Sequence, residues 1–182
     1  MLGDSITAGL GLAPEDAIPA RLEARLKADG FDVAVINAGV SGDTTAGGAA
    51  RIGWVLGDQP QFALVELGAN DALRGLDPGE AEKNLDTILA RLAAAKVKTL
   101  LIGMLAPGNW GHDYQLQFDA IYPHLAQKYH VPLYPFILDG VALDPALNQA
   151  DGLHPNEKGV AVIVARLAPI VENLLKGANK ES

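Results

Sequence analysis

Phe62-Ala63-Leu64-Val65-Glu66-Leu67 runs directly into Gly68-Ala69-Asn70-Asp71, and the reading of this junction decides the fold. A short apolar run closed by a glycine and two turn-forming residues reads as a strand that ends in a loop. Phe31-Asp32-Val33-Ala34-Val35-Ile36 reads the same way and leads into a loop over 37–43. VKTLLIG at 97–103 is a third strand, and VPLYPFI at 131–137 a weaker fourth, interrupted by prolines. Helical patterns fill the intervals. Residues 14–29 place Ile18, Leu22 and Leu26 four apart and stop at Gly30, a good αL terminator. Residues 44–56 form a helix weakened by its glycines. Residues 79–96 carry Leu85, Ile88, Leu89 and Leu92 on one face. Residues 114–129 carry Phe118, Ile121, Tyr122 and Leu125, with a kink expected at Pro123. Residues 156–176 turn Val160, Val164, Leu167, Val171 and Leu174 inward. Strands alternating with helices predict βαβ units and a parallel sheet, an α/β fold.

Composition sets the bounds. A chain of 182 residues predicts one domain over 1–182, with 177–182 as a frayed tail. The 49% hydrophobic and 20% charged fractions are those of an ordinary globular protein. A net charge of -8 argues against nucleic-acid phosphates and anionic membrane surfaces as partners. The absence of cysteine excludes disulfides, thiolate metal sites and cysteine nucleophiles, and fits cytoplasm or periplasm. No apolar run approaches the roughly 18 residues of a membrane span. Met1-Leu2-Gly3 carries neither the basic n-region nor the apolar h-region of a signal peptide.

In a parallel α/β sheet, functional groups gather beyond the carboxyl ends of the strands. Ser5, Gly42 and Asn70 each follow an apolar run, or the remains of one, by a few residues. Serines are scarce, namely Ser5, Ser41 and Ser182. Ser182 belongs to the charged tail. Ser41, in Gly39-Val40-Ser41-Gly42-Asp43, narrowly misses the G-x-S-x-G elbow. Ser5, in Gly3-Asp4-Ser5-Ile6, stands where a helix could begin, so its hydroxyl reads either as a cap or as a nucleophile.

Of the histidines, His124 and His130 read as surface or packing residues, and His112 as a loop residue able to touch a ligand. His154 alone has a carboxylate three residues before it, Asp151, and a proline directly after. At that spacing the carboxylate can hold one ring N–H and leave the other nitrogen to take a proton. Gly42 offers an unencumbered backbone N–H, or is a turn glycine; Asn70 offers an amide donor, or is a cap. With the Ser5 N–H they would make a three-donor cradle for an oxyanion, and the set reads as acyl-transfer machinery.

These blocks resemble the SGNH, or GDSL-type, hydrolases: Gly3-Asp4-Ser5, then Gly39 to Gly42, Gly68-Ala69-Asn70-Asp71 and Asp151-Gly152-Leu153-His154-Pro155, in family order along nearly the whole chain. Leu105 to Tyr114, with Phe118 and Tyr122-Pro123, looks like the branch of thioesterase I, lysophospholipase L1 and arylesterases. The resemblance implies a three-layer α/β/α, flavodoxin-like parallel sheet of order 2-1-3-4-5 with helices on both faces. It implies Ser5 as nucleophile, His154 as base, Asp151 as its orienter, and Ser5, Gly42 and Asn70 as oxyanion donors. It also implies a periplasmic or secreted setting and a loop beside the acyl pocket; a monomer or homodimer is expected. Trp110 departs from the tyrosine usual in this branch, and His112-Asp113 from its basic residues, which leaves chain-length preference open. Relatives carry a full apolar strand before Gly-Asp-Ser; here only Met1-Leu2 precede it, so a truncated first strand and a sheet weakened beside Ser5 are expected.

The function expected is a serine esterase that hydrolyses carboxylic esters through an acyl-enzyme, without a cofactor or metal. Its substrate would be a small ester or thioester: short-chain and aryl esters first, then acyl-CoA thioesters and lysophospholipids. Leu10, Leu12, Leu73, Leu105, Ala106, Pro107 and Trp110 are the expected apolar lining. A carbohydrate acetyl esterase is the alternative on the same fold. From another class come a metal-dependent phosphoesterase built on Asp4, Asp71, Asp151 and His154, and a non-catalytic binding module. Pro14 stands in the third glycine's place of G-x-G-x-x-G, against a dinucleotide site.

Overall fold

The structure, a computed structural model, describes residues 1–178. Along the chain come β1 (Leu2–Gly3), α1 (Ser5–Ala8), α2 (Ile18–Ala28), β2 (Ala38–Gly39), α3 (Thr45–Gly57) and β3 (Phe62–Glu66). They are followed by α4 (Ala69–Leu73), α5 (Pro78–Ala94), β4 (Lys98–Ile102), α6 (His112–Tyr129), β5 (Leu133–Tyr134) and α7 (Glu157–Ala178). The strands form a five-stranded parallel sheet in the order β2-β1-β3-β4-β5, the α/β architecture expected. The register pairs Leu2 with Val65 and Gly3 with Glu66, and β3 with β4 from Phe62–Lys98 to Glu66–Ile102.

The contacts fall into two compact units. One comprises Met1, Ser5–Ser41 and the described residues from Leu138 onward; the other comprises Leu2–Asp4 and Gly42–Ile137. In the first, α2 packs on α7. Ile18, Leu22 and Leu26 are buried, as are Val160, Ile163, Val164, Leu167 and Val171. Leu175 completes the α7 face, and Leu174, expected inside, is only half-buried. In the second unit α3, α5 and α6 pack in series. The apolar residues of β3 and β4 are buried, together with Leu85, Ile88, Leu89, Leu92, Phe118, Ile121, Tyr122 and Leu125. Burying each such side chain contributes about 1.5–3 kcal/mol.

Helix ends follow local chemistry. Thr44 caps α3 by accepting from the Gly47 N–H, and Asp77 caps α5 by accepting from the Glu80 N–H. Pro123 lies inside α6, which runs on to Tyr129. Gly177 and Ala178, expected in the tail, belong to α7; the rest of the expected tail, 179–182 with Ser182, lies outside the described residues.

The strand expected at 31–36 is not formed. That stretch forms no regular secondary structure, and β2 opens only at Ala38, whose N–H donates to the Met1 carbonyl at 2.9 Å. At the end of the stretch, the Ile36 carbonyl accepts from the Met1 amino group at 2.6 Å. The strand expected at 131–137 shrinks to Leu133–Tyr134, because Pro132 and Pro135 have no N–H to donate. α1, of four residues, begins at Ser5, where a helix start was expected, and α4, of five residues, was not read as a helix.

Candidate active site

Ser5 opens α1 one residue after Asp4, and β1 ends at Gly3. Its backbone carbonyl accepts from the N–H groups of Gly9 and Leu10 at 3.1 and 3.0 Å, which curls the chain back under the side chain. The hydroxyl is not a cap. Ser5 Oγ lies 2.8 Å from His154 Nε2, with Ser5 9% exposed.

His154 sits on a tight turn in the loop before α7. Asp151 Oδ1 accepts from the backbone N–H groups of Leu153 and His154, at 2.9 and 3.0 Å. Its other oxygen lies 2.6 Å from His154 Nδ1. These donors, the His154 and Leu153 N–H groups foremost and then the imidazole, hold the Asp151 carboxyl down to about 2. An ionised carboxylate only accepts, so His154 Nδ1 carries the proton, and a neutral ring then leaves Nε2 as the acceptor facing Ser5. The arrangement can draw a proton from the Ser5 hydroxyl and hold the resulting imidazolium against a carboxylate. Ser5, Asp151 and His154 all belong to the first unit.

Gly42 and Asn70 belong to the second unit. Gly42 has φ 84, a conformation that favours glycine, three residues after β2 ends. Asn70 lies in the first turn of α4, after Gly68 at φ 124 breaks the line of β3. Its Nδ2 donates to the Asp43 carbonyl at 2.9 Å and reaches Asp4 Oδ2 at 3.5 Å. The Arg74 guanidinium joins the two: Nη2 donates to the Gly42 carbonyl at 3.1 Å and to Asn70 Oδ1 at 3.4 Å. With its oxygen held by a cation, the Asn70 amide has its NH₂ edge fixed. Arg51 braces the same segment, giving Nε to Asp43 at 2.6 Å and Nη2 to the Gly3 carbonyl at 2.9 Å. Buried Asp71 accepts from the backbone N–H and hydroxyl of Thr45, at 2.8 and 2.7 Å, which ties α4 to the start of α3.

The residues expected to line an apolar pocket divide between the units. Leu10 is half exposed and Leu12 partly buried, in the turn after α1. In the second unit Leu73, Leu105 and Trp110 are each nearly half exposed and Pro107 is partly buried. Ala106 is buried, and its N–H donates to Asp119. Trp110 is anchored at both edges. Its Nε1 donates to the Ala72 carbonyl at 2.8 Å, and its ring lies so close over Gly75 that a Cβ there would come within 2.7 Å. It also heads an aromatic row, Trp110-Tyr114-Phe118-Tyr122, along α6.

His112 starts α6 and is exposed, His124 pairs with Glu82, and His130 ends α6 at φ 53. Among the described residues no three of His, Cys, Asp or Glu are grouped to hold a metal ion. Among them, too, no helix is long and apolar enough to cross a membrane. Sequence reading missed Arg74 and Gln149. Arg74 had a usable signal, its position four residues after Asn70 where a helix would bring the two together.

The sequence pattern of the GDSL-like lipase/acylhydrolase family matches residues 1–162. The chain is 40% identical over 176 residues to thioesterase 1/protease 1/lysophospholipase L1 of Escherichia coli (strain K12), covering 96% of this chain and 83% of that protein. It is 38% identical to the esterase TesA of Pseudomonas aeruginosa, covering 96% of this chain and 88% of the relative. Among solved structures, AlinE4, an SGNH-hydrolase family esterase, superposes with a TM-score of 0.80 at 49% identity, over 96% of this chain and 94% of that one. The chain therefore belongs to the GDSL-like lipase/acylhydrolase family and is a carboxylic ester hydrolase.

Proposed function

We propose that Ser5 is the nucleophile of this hydrolase, His154 its general base and Asp151 the residue that orients the base. The Ser5 and Gly42 N–H groups and the Asn70 amide are its oxyanion donors. The observation that carries the reading is the relay in the first unit: Ser5 Oγ to His154 Nε2 at 2.8 Å and His154 Nδ1 to Asp151 Oδ2 at 2.6 Å. His154 takes the hydroxyl proton as Oγ bonds to the acyl carbon, and the carbonyl becomes an oxyanion held by the donors. Collapse expels the alcohol or thiol, which leaves with the proton from His154. Water then repeats the path on the acyl-enzyme and releases the carboxylic acid.

The substrates are short-chain acyl and aryl esters, extending to thioesters and lysophospholipids. The half-exposed Leu10, Leu73, Leu105 and Trp110 support an apolar acyl or aryl group. Relatives named as a thioesterase, a lysophospholipase and an arylesterase support the range. A small p-nitrophenyl phosphonate tests the chemistry. It should label Ser5 stoichiometrically in step with loss of activity, and Ser5→Ala should be both unlabelled and inactive. An active Ser5→Ala enzyme would end this assignment. p-Nitrophenyl esters of increasing chain length, run beside palmitoyl-CoA, place the preferred acyl group.

A further inference from the structure

We infer that Gln149 is a positioning residue that clamps the nucleophile turn to the base turn and so sets the Ser5–His154 geometry. The inference rests on the triad assignment above. Gln149 is half-buried in the loop before α7. Its backbone closes the base turn: the N–H donates to the His154 carbonyl at 2.8 Å, and the carbonyl accepts from the Gly152 N–H at 2.9 Å. Its side chain reaches across. Nε2 donates to the Leu10 carbonyl at 2.7 Å and to the Pro155 carbonyl at 3.0 Å.

Leu10 in turn donates its N–H to the Ser5 carbonyl. The hydrogen bonds therefore run from Ser5 through Leu10 and Gln149 to His154 and Pro155, and the 2.8 Å contact of Ser5 Oγ with Nε2 closes the ring. Gly11 seats the clamp, since a Cβ there would lie 2.2 Å from Gln149 Oε1. The base loop is pinned on its far side as well. Asn148 Nδ2 donates to the Val141 and Asp144 carbonyls, and Asn156 Nδ2 to the carbonyls of Ala146 and Asn148. A turn so pinned moves as a body, and the Gln149 carboxamide decides where that body stands relative to Ser5. Misplacing a reacting pair by about 1 Å costs on the order of 100-fold in rate.

The test compares Gln149→Met, which keeps length but loses the donors, and Gln149→Glu, whose carboxylate would face two carbonyl oxygens, with the parent and Ser5→Ala. Three readouts are taken at a temperature where melting curves show each variant folded. They are kcat and KM for p-nitrophenyl acetate, the rate of Ser5 phosphonylation by a small p-nitrophenyl phosphonate, and the melting temperature. The expected result is KM within about twofold of the parent, with kcat and phosphonylation falling together by roughly 10–100-fold. Should one variant not fold, the other carries the comparison. Variants that melt earlier yet keep the parent's kcat and labelling rate while folded would reduce Gln149 to a structural residue and overturn the inference, leaving the triad intact. An active Ser5→Ala would instead remove the triad reading beneath it.

Discussion

As the proposed oxyanion donor, Asn70 joins the reaction's charge to the fold's hydrogen bonds in one side chain. Its carboxamide is held by Arg74 at Oδ1 and by the Asp43 carbonyl, 2.9 Å from Nδ2, while the second Nδ2 hydrogen, with Asp4 Oδ2 no nearer than 3.5 Å, is left to turn to an oxyanion. A donor fixed before the reaction begins stabilises a developing oxyanion without reorganising. Asn70→Ala should therefore lower kcat by about 10²–10³ with little change in KM. Its structural cost is the loss of one good hydrogen bond, to Asp43, worth about 1 kcal/mol. Steady-state kinetics beside circular dichroism checks both halves, and a folded Asn70→Ala enzyme with undiminished kcat would remove Asn70 from the oxyanion hole. The same residue-scale logic explains what sequence could reveal. Asp151 and His154 are three apart, and a carboxylate beside an imidazole is a pattern of side chains. Gln149 acts on the Leu10 and Pro155 carbonyls, which every residue owns, so no spacing betrays it.

At the scale of elements, the thinnest part of the sheet is its second position. β1 pairs only Leu2 and Gly3 with β3, and of residues 31–36 the Ile36 carbonyl accepts from the Met1 amino group at 2.6 Å. With Leu2 opposite Val65, Met1 falls beside Leu64, and two residues placed before it would run beside Ala63 and Phe62. An N-terminal extension of two β-branched residues should therefore gain hydrogen bonds toward β3. At a net of about 1 kcal/mol per bond, the melting temperature should rise by on the order of 5–10 °C over the chain that starts at Met1. Equal melting temperatures would show that this part of the sheet is not limiting. Sequence pattern found β3 and β4, which pair with each other along all five positions, and erred at 31–36, because a run of strand-forming residues does not by itself decide pairing. The long helices declared themselves through repeated apolar spacing. α1 and α4 are each about one turn and too short to show a period, yet they carry Ser5 and Asn70.

At the scale of the whole molecule, charge separates the two substrate kinds left open by the site. The full chain carries a net charge of -8, so the protein's mean field opposes anionic ligands. A p-nitrophenyl ester of a short acid is neutral, whereas an acyl-CoA brings several phosphate charges to the same serine. Repulsion lowers the probability of productive encounter for the second substrate only, and salt shortens its reach, from a Debye length of about 30 Å at 0.01 M to about 8 Å at 0.15 M. Between those ionic strengths kcat/KM for an acyl-CoA should rise severalfold while that for p-nitrophenyl butyrate stays level. The local picture could reverse the sign, because Arg74, beside Gly42 and Asn70, makes its hydrogen bonds to neutral oxygens and leaves its charge uncancelled by them. A kcat/KM for acyl-CoA that falls with added salt would mean that this guanidinium outweighs the mean field, and Arg74→Gln should then abolish the salt dependence. Equal flat profiles for both substrates would mean that the CoA phosphates stay out of reach of either field. The thioesterase reading would then rest on acyl chain length alone.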